Sequence, residues 1–324
     1  MESPFADCEA KLVRERTRAV FRGEEYDYYY SFYECELTGE RFTTSELDEV
    51  NVSQIYNQYR EKHNIPFPDE IKAILSTYSI SVSKLTAILG FGDNQISRYI
   101  KGEMPSKANG TTLSVIRDID VFLKYAENAV NMIGEKSLNC IRERAIAAKN
   151  QTDDAEFRII FRKTERSISN GFAVQELRKL KDVIMYALLE MGDTFITKMN
   201  KILFYCDMLS YRQFGKGLTG LAYKSEQCGI IPFRSNQIYS LLNIPQISKF
   251  YGDKEVTPLH RQDGFVISTL DELERNIISD VCHRFASTTS KEISEINHKE
   301  EVWSRYLDKD KPIPYYEAFD LTQI

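Results

Sequence analysis

Asn94, Gln95, Ser97, Arg98 and Lys101 stand within one short stretch of this 324-residue chain. Their side chains are of the kinds that read and hold DNA. Asn and Gln can pair bidentately with adenine, Arg pairs with guanine, and Ser and Lys hold phosphates. Helical spacing over Asp93 to Lys101 turns Ile96, Tyr99 and Ile100 to a core and leaves those five polar residues outside. Upstream, Ser81 is placed to cap a helix over Val82 to Leu89, with Ser83 beside it as a further phosphate-binding candidate. Gly90-Phe91-Gly92 supplies a tight turn between the two helices, because glycine tolerates positive φ. Ile71, Ile74, Leu75 and Tyr78 form one face of a helix before them. This is the outline of a helix-turn-helix, whose second helix enters the major groove with its N-terminal residues at the base edges. Two helices joined by a glycine turn are also a common way to build any small helical core, so the spacing alone leaves both readings open.

Other constellations lead to less. Gly215-Lys216-Gly217-Leu218-Thr219-Gly220 is glycine-rich but lacks the order of a phosphate-binding P-loop. No HExxH and no GxSxG occurs. His63, His260, His283 and His298 have no ligand-like spacing. The cysteines, Cys8, Cys35, Cys140, Cys206, Cys228 and Cys282, form no CxxC pair, which reads as reduced thiols in a cytosolic protein. The expectation is a non-enzyme with no cofactor and no metal. A hidden active site built from distant residues is the alternative left open.

In the second half, Tyr205, Tyr211, Tyr223, Phe233 and Tyr239 are amphipathic aromatics of the sort that anchor protein interfaces. For any one of them a core position is the commoner fate. Asp207 lies on an apolar helical stretch beside Lys201, Arg212 and the glycine-rich loop, where an internal pairing with a cation or with the loop amides is favoured. His298 and Trp303 are expected to pack together.

The elements that would position these residues follow from pattern. Leu12 to Phe21 and the tyrosine-rich Tyr26 to Tyr33 flank Gly23 and read as strand, turn, strand; Thr38-Gly39 makes a second turn. Thr44 or Ser45 caps a helix running to about His63, which Pro66 and Pro68 close. Leu113 to Lys149 reads as one or two longer helices, and Lys149 to Asp154 as a polar connector. Ser167 to Gly171 is a break. From Ala173 the chain reads as helical, with Leu177 to Met191 at helical spacing and Gly192 as the stop, and Ile196 to Phe214 is the next helix. Loops follow around Gly229 and Pro232. Ser268 or Thr269 starts one more helix, with Leu270, Leu273, Ile277, Ile278, Val281 and Phe285 inward, and short ones follow over Ser290 to Asn297 and Lys299 to Tyr306. With 42% hydrophobic residues and a net charge of −6, the chain is long enough for two or three cores, and it cannot coat nucleic acid by overall charge. A local cationic surface remains open to it. No run of about 18 apolar residues occurs, so no membrane span is expected, and Met1 to Ala10 does not read as a secretory signal.

Two resemblances sharpen this. Asn94-Gln95-Ile96-Ser97-Arg98-Tyr99-Ile100-Lys101-Gly102-Glu103-Met104-Pro105 resembles the recognition helix and its exit in Cro/XRE-type helix-turn-helix domains of MqsA-type antitoxins. Those proteins begin with a small β-rich domain that binds zinc through two CxxC pairs. Here only Cys8 and Cys35 stand in that region, and a closed zinc site needs about four ligands, so a zinc-free version is expected. The second half resembles the Panacea (SocA-like) domain. The resemblance is carried by Thr197 to Asp207, Thr219-Gly220-Leu221-Ala222-Tyr223, Gly229-Ile230-Ile231-Pro232, Glu295 to Trp303 and Ile313-Pro314-Tyr315. The family usually has Gly-Pro-Val-Pro where this chain has Gly229 to Pro232.

The resemblances imply a mainly α protein with a small β-rich N-terminal piece. Its expected parts are a β-rich piece plus helix over 1–63, a helix-turn-helix domain over 64–130, a helical connector over 131–170, and a helical Panacea-like domain with a minor β element over 171–324. They imply a cytoplasmic bacterial or phage antitoxin whose C-terminal domain neutralises a cognate toxin, alarmone-synthetase-like enzymes being among the toxins so paired. Its helix-turn-helix would repress its own operon by binding operator DNA as a homodimer. A regulator that senses another protein, such as a phage protein, and a proteolytic adaptor are the alternatives.

Overall fold

The computed structural model describes residues 1–149, 155–161, 165–251 and 254–324. The expected connector Lys149 to Asp154 lies, beyond Lys149, outside the described residues. The architecture is mainly α with a small N-terminal antiparallel sheet. The chain forms two compact units, one of Met1–Ile55 with Asp154–Ile324, the other of Tyr56–Asp153.

In the first unit, β1 (Ala10–Phe21) and β2 (Glu24–Cys35) pair in unbroken register from Ala10 opposite Cys35 to Phe21 opposite Glu24. Arg22 and Gly23 both have positive φ, +52° and +83°. That is the backbone a tight turn needs to match the twist of its strands. β3 (Arg41–Phe42) pairs with β2 only at Tyr33 and Glu34. Farther along, side chains take the place of a neighbouring strand. They come from α1 (Ser45–His63), which Thr44 caps by accepting from Leu47 N–H. Asn51 accepts from Ser31 N–H at 2.8 Å and donates to Ser31 C=O at 2.9 Å. Gln54 does the same for Tyr29, at 3.0 and 2.9 Å. These buried backbone groups would otherwise lack partners on that edge, at a cost of about 1–3 kcal/mol each.

In the second unit, α2 (Pro68–Tyr78) starts with proline at its first position, and Phe67 N–H donates to Glu70. α3 (Val82–Leu89) is capped by Ser81 and closed by Gly90 in the left-handed region. α4 (Gln95–Ile100) follows the turn. Ile71, Leu85, Ile96, Leu113, Phe122 and Ile141 are buried in one core, where Tyr78 stacks on Phe122. The expected one or two helices from Leu113 to Lys149 are broken further. α5 (Lys107–Val115) starts earlier, capped by Ser106. α6 (Ile119–Asn128) is capped by Asp118, which accepts from Asp120 and Val121 N–H. α7 (Val130–Ile133) is separated from α8 (Glu135–Lys149) by Gly134 at φ +81°.

The remainder of the first unit carries α9 (Ala155–Ile160), α10 (Leu177–Met191), which ends at Gly192, and α11 (Ile196–Phe214). β4 (Tyr223–Glu226) and β5 (Gly229–Pro232) form a hairpin where loops are expected from Gly229 and Pro232. α12 (Ser235–Leu241) comes next. A second small hairpin, β6 (Lys249–Tyr251) with β7 (Lys254–Val256), precedes α13 (Glu272–Arg284), α14 (Ser290–His298) and α15 (Glu301–Tyr306). Leu273, expected inward, is 57% exposed. Every residue of α11 from Lys198 to Tyr211 is buried. A helix surrounded on all sides is the centre of its unit, and α11 packs against α10, α13, α14, β5 and the 3₁₀ turn Tyr315–Phe319.

Candidate functional site

The residues expected to contact DNA are placed by the α3–α4 turn. Ile96 and Tyr99 are buried, which turns the opposite side of α4 outward. Ser83, Asn94, Arg98 and Lys101 are exposed, and Gln95 and Ser97 are half-buried. Asn94 precedes α4 in the left-handed region at φ +63°, a conformation that asparagine tolerates better than most residues. Lys101 follows the helix end. Lys107 is exposed at the start of α5. Arg98 lies 3.6 Å from Glu103, an exposed pair worth little. Ser83 Oγ is 2.9 Å from Ser81 Oγ.

Gln95 is held by a residue the sequence reading did not single out. Asn109 Nδ2 donates to Gln95 Oε1 at 2.9 Å and to Tyr99 Oη at 2.8 Å. This fixes the Gln95 amide with its oxygen engaged and its N–H group left to donate. A donor suits guanine O6 or N7, or thymine O4, better than the donor–acceptor pair that adenine presents.

In the other unit, the polar residues of α11 are each tied to a distant segment. Lys198 Nζ donates to Ala286 C=O and Thr288 C=O, at 3.2 and 2.7 Å. Asn200 Oδ1 accepts from Tyr239 Oη at 2.6 Å. Asp207, fully buried, accepts from Leu218 N–H and Thr219 N–H, both at 2.7 Å, from Tyr223 Oη at 2.6 Å, and from the Thr219 hydroxyl. Of the two internal pairings open to Asp207, the structure shows the loop amides. Burial pushes its carboxyl above the usual range, and the four donors pull the other way. The glycine-rich loop is shaped by this closeness: a Cβ on Gly217 would come within 2.7 Å of the Tyr315 ring. Asn297 Oδ1 accepts from Ile230 N–H at 2.6 Å, and its Nδ2 donates to Tyr205 Oη at 3.3 Å. His298 stacks on Trp303, whose Nε1 donates to Glu226 C=O.

The five aromatics expected to face a partner are therefore corrected. Tyr205, Tyr211, Tyr223 and Tyr239 are at most 1% exposed and Phe233 is 9% exposed. Tyr205 stacks on Phe285, and Tyr211 sits edge-on to Tyr315 and Phe319. The hydroxyls of Tyr205, Tyr223 and Tyr239 find partners inside, so these rings serve the core. Exposed apolar side chains occur elsewhere in this unit. Phe195, just before α11, Ile247 and Phe250 are exposed to 39, 44 and 72%. Backbone bridges tie their neighbours together, Thr194 to Leu259 and Leu259 to Gln246. Beside them Asp193 is bonded to Lys249 and to His260 Nδ1.

Among the described residues no three His, Cys, Asp or Glu side chains are grouped to hold a metal ion, and no helix is long and apolar enough to cross a membrane. No curated protein and no solved structure matches the chain. Residues 199–304, about a third of the chain, match the family model described as antitoxin SocA-like, Panacea domain, which supports an antitoxin-type role.

Proposed function

We propose that this protein is the antitoxin of a toxin–antitoxin pair. The segment matching the Panacea domain carries toxin neutralisation, and the helix-turn-helix represses the operon. The observation that carries the proposal is the match over residues 199–304, which covers the buried α11 and the segments tied to it. Neutralisation is steric: the domain covers the toxin's active site or the path of its substrate, and no reaction is catalysed. An alarmone-synthetase-like enzyme is one class of toxin that fits. Since the five core aromatics are closed to a partner, the exposed Phe195, Ile247 and Phe250 are the apolar anchors assigned to the toxin. The protein acts on operator DNA as a homodimer, with half-sites about one helical turn apart.

The test is co-expression with the neighbouring reading frame. That neighbour should stop growth alone and be harmless with the full-length protein, and the two should purify as a complex. Phe250→Ser should weaken rescue while leaving the unfolding midpoint unchanged. Arg98→Ala should cost about 1–3 kcal/mol in operator binding and leave rescue intact. A harmless neighbour that forms no complex would refute the antitoxin reading. Operator binding that persists in that case would instead favour a regulator sensing another protein. Partner breakdown in place of a stable complex would favour a proteolytic adaptor.

A further inference from the structure

The end of the N-terminal sheet holds two thiols that neither the antitoxin reading nor the DNA-binding reading uses. Cys35 closes β2 and Cys8 lies in the arm before β1. Their sulfurs are 3.4 Å apart. The arm is folded back so that this distance is held by backbone on every side. Ser3 N–H donates to Cys8 C=O at 2.9 Å, and Ala10 N–H donates to Met1 C=O at 2.7 Å. Glu2 is bridged to Glu9, and Glu36 N–H reaches Glu9 C=O. From the other side, Cys35 N–H donates to Glu40 C=O and Gly39 N–H to Cys35 C=O, which closes the Thr38–Gly39 turn.

We infer that Cys8 and Cys35 are an oxidisable dithiol, a modification site at which hydrogen peroxide closes a disulfide between the N-terminal arm and the end of β2. The two sulfurs have unequal surroundings, as such a reaction requires. Cys35 is 1% exposed, and hydrogen bonds from Ser3, Thr38 and Cys8 stabilise its thiolate. They bring its pKa down to about 6. Cys8 is half-buried, and desolvation and the neighbouring Cys35 raise its pKa, so its proton stays in place. The Cys35 thiolate attacks the peroxide oxygen and, with one proton taken up, gives the sulfenic acid and water. Cys8 sulfur then attacks the Cys35 sulfur. The S–S bond forms, the S–O bond breaks, and the Cys8 proton leaves with the hydroxyl as a second water. Two thiols are oxidised by two electrons and one peroxide is reduced. A thiolate reacts where a thiol does not, and a resolving thiol within reach diverts the sulfenic acid from further oxidation.

The remaining cysteines supply internal controls. Cys206 and Cys282 are buried, and desolvation raises both pKa values, Cys282 to about 12. Cys140 and Cys228 are exposed.

The experiment treats the full-length protein with hydrogen peroxide, blocks residual thiols with an alkylating agent, and maps the peptides by mass spectrometry. The expected product is the Cys8 peptide joined to the Cys35 peptide, lighter by two hydrogens and released by dithiothreitol. Cys206 and Cys282 should stay reduced, which shows that the fold is intact. The rate should rise with pH through the region near 6 and level off above it. In Cys8→Ser the cross-link should be lost, and Cys35 should advance to the sulfinic acid. Cys8 and Cys35 remaining free, ending as separate oxyacids in the unsubstituted protein, or joining instead to Cys140 or Cys228 would each overturn the inference.

Discussion

Asp207 shows how a residue that looks chemical can be wholly occupied with the fold. Its carboxylate is held by two backbone amides, a threonine hydroxyl and a tyrosine hydroxyl. Removing it strands several buried donors at once. Asp207→Ala should therefore lower stability by about 3–5 kcal/mol in urea unfolding, as loss of one partner from a buried charged network does. Asp207→Asn keeps one oxygen for the two backbone N–H groups and lets the hydroxyls turn to accept. It should cost about 1–3 kcal/mol, and toxin rescue per folded molecule should not change. Rescue lost in a fully folded Asp207→Asn protein would place Asp207 at the toxin contact after all. The five aromatics teach the same lesson. A tyrosine with one apolar face and one polar tip has the same signature in sequence whether it is inside or outside. What fixes Tyr239 and Tyr205 inside is a partner far along the chain, Asn200 and Asn297 respectively.

At the scale of elements, sequence and structure agree wherever one segment carries its own start and stop. Val82–Leu89 has Ser81 before it and Gly90 after it, and Ile196–Phe214 is closed by Gly215. Both appear at the expected residues because capping and glycine turns are local. The resemblance implies a minor β element in this part of the chain, but the residues themselves do not place the β4–β5 hairpin, since Gly229 and Pro232 look like breakers. Its second strand is held by Asn297 from α14, 67 residues away, and by packing on α11. α5 was missed because Lys107 to Thr112 carries no apolar period. The amide clamp on β2 was equally invisible, since nothing in Asn51 or Gln54 announces a backbone partner about twenty residues upstream. Gln54→Ala should leave Tyr29 N–H and C=O buried without that partner and cost about 1–3 kcal/mol. Hydrogen exchange at Tyr29 should accelerate well beyond that at Tyr33, which β3 still protects. Equal exchange at both positions would show that the clamp does not hold the strand.

At the scale of the whole molecule, the β-rich N-terminal piece is built into the same compact unit as the segment matching the antitoxin domain. Tyr29 stacks on Phe319 at 4.9 Å and its hydroxyl reaches Asp320 at 3.0 Å, across 291 residues of sequence. A fragment of residues 171–324 should consequently uncover Phe319, Tyr211 and the Tyr315–Phe319 turn. It should be less soluble, bind a hydrophobic dye, and unfold at lower denaturant than the intact protein. A fragment as stable as the whole would show that the N-terminal strands are dispensable to that unit.

This joining of distant segments also sets an order of events during synthesis. Tyr56–Asp153 forms its own unit, and its whole core has left the ribosome while translation of the second half continues. The strands made before it have no such option. Tyr29 must wait until Phe319 and Asp320 emerge, so a nascent chain carries a folded Tyr56–Asp153 unit ahead of the completed unit that holds the segment matching the Panacea domain.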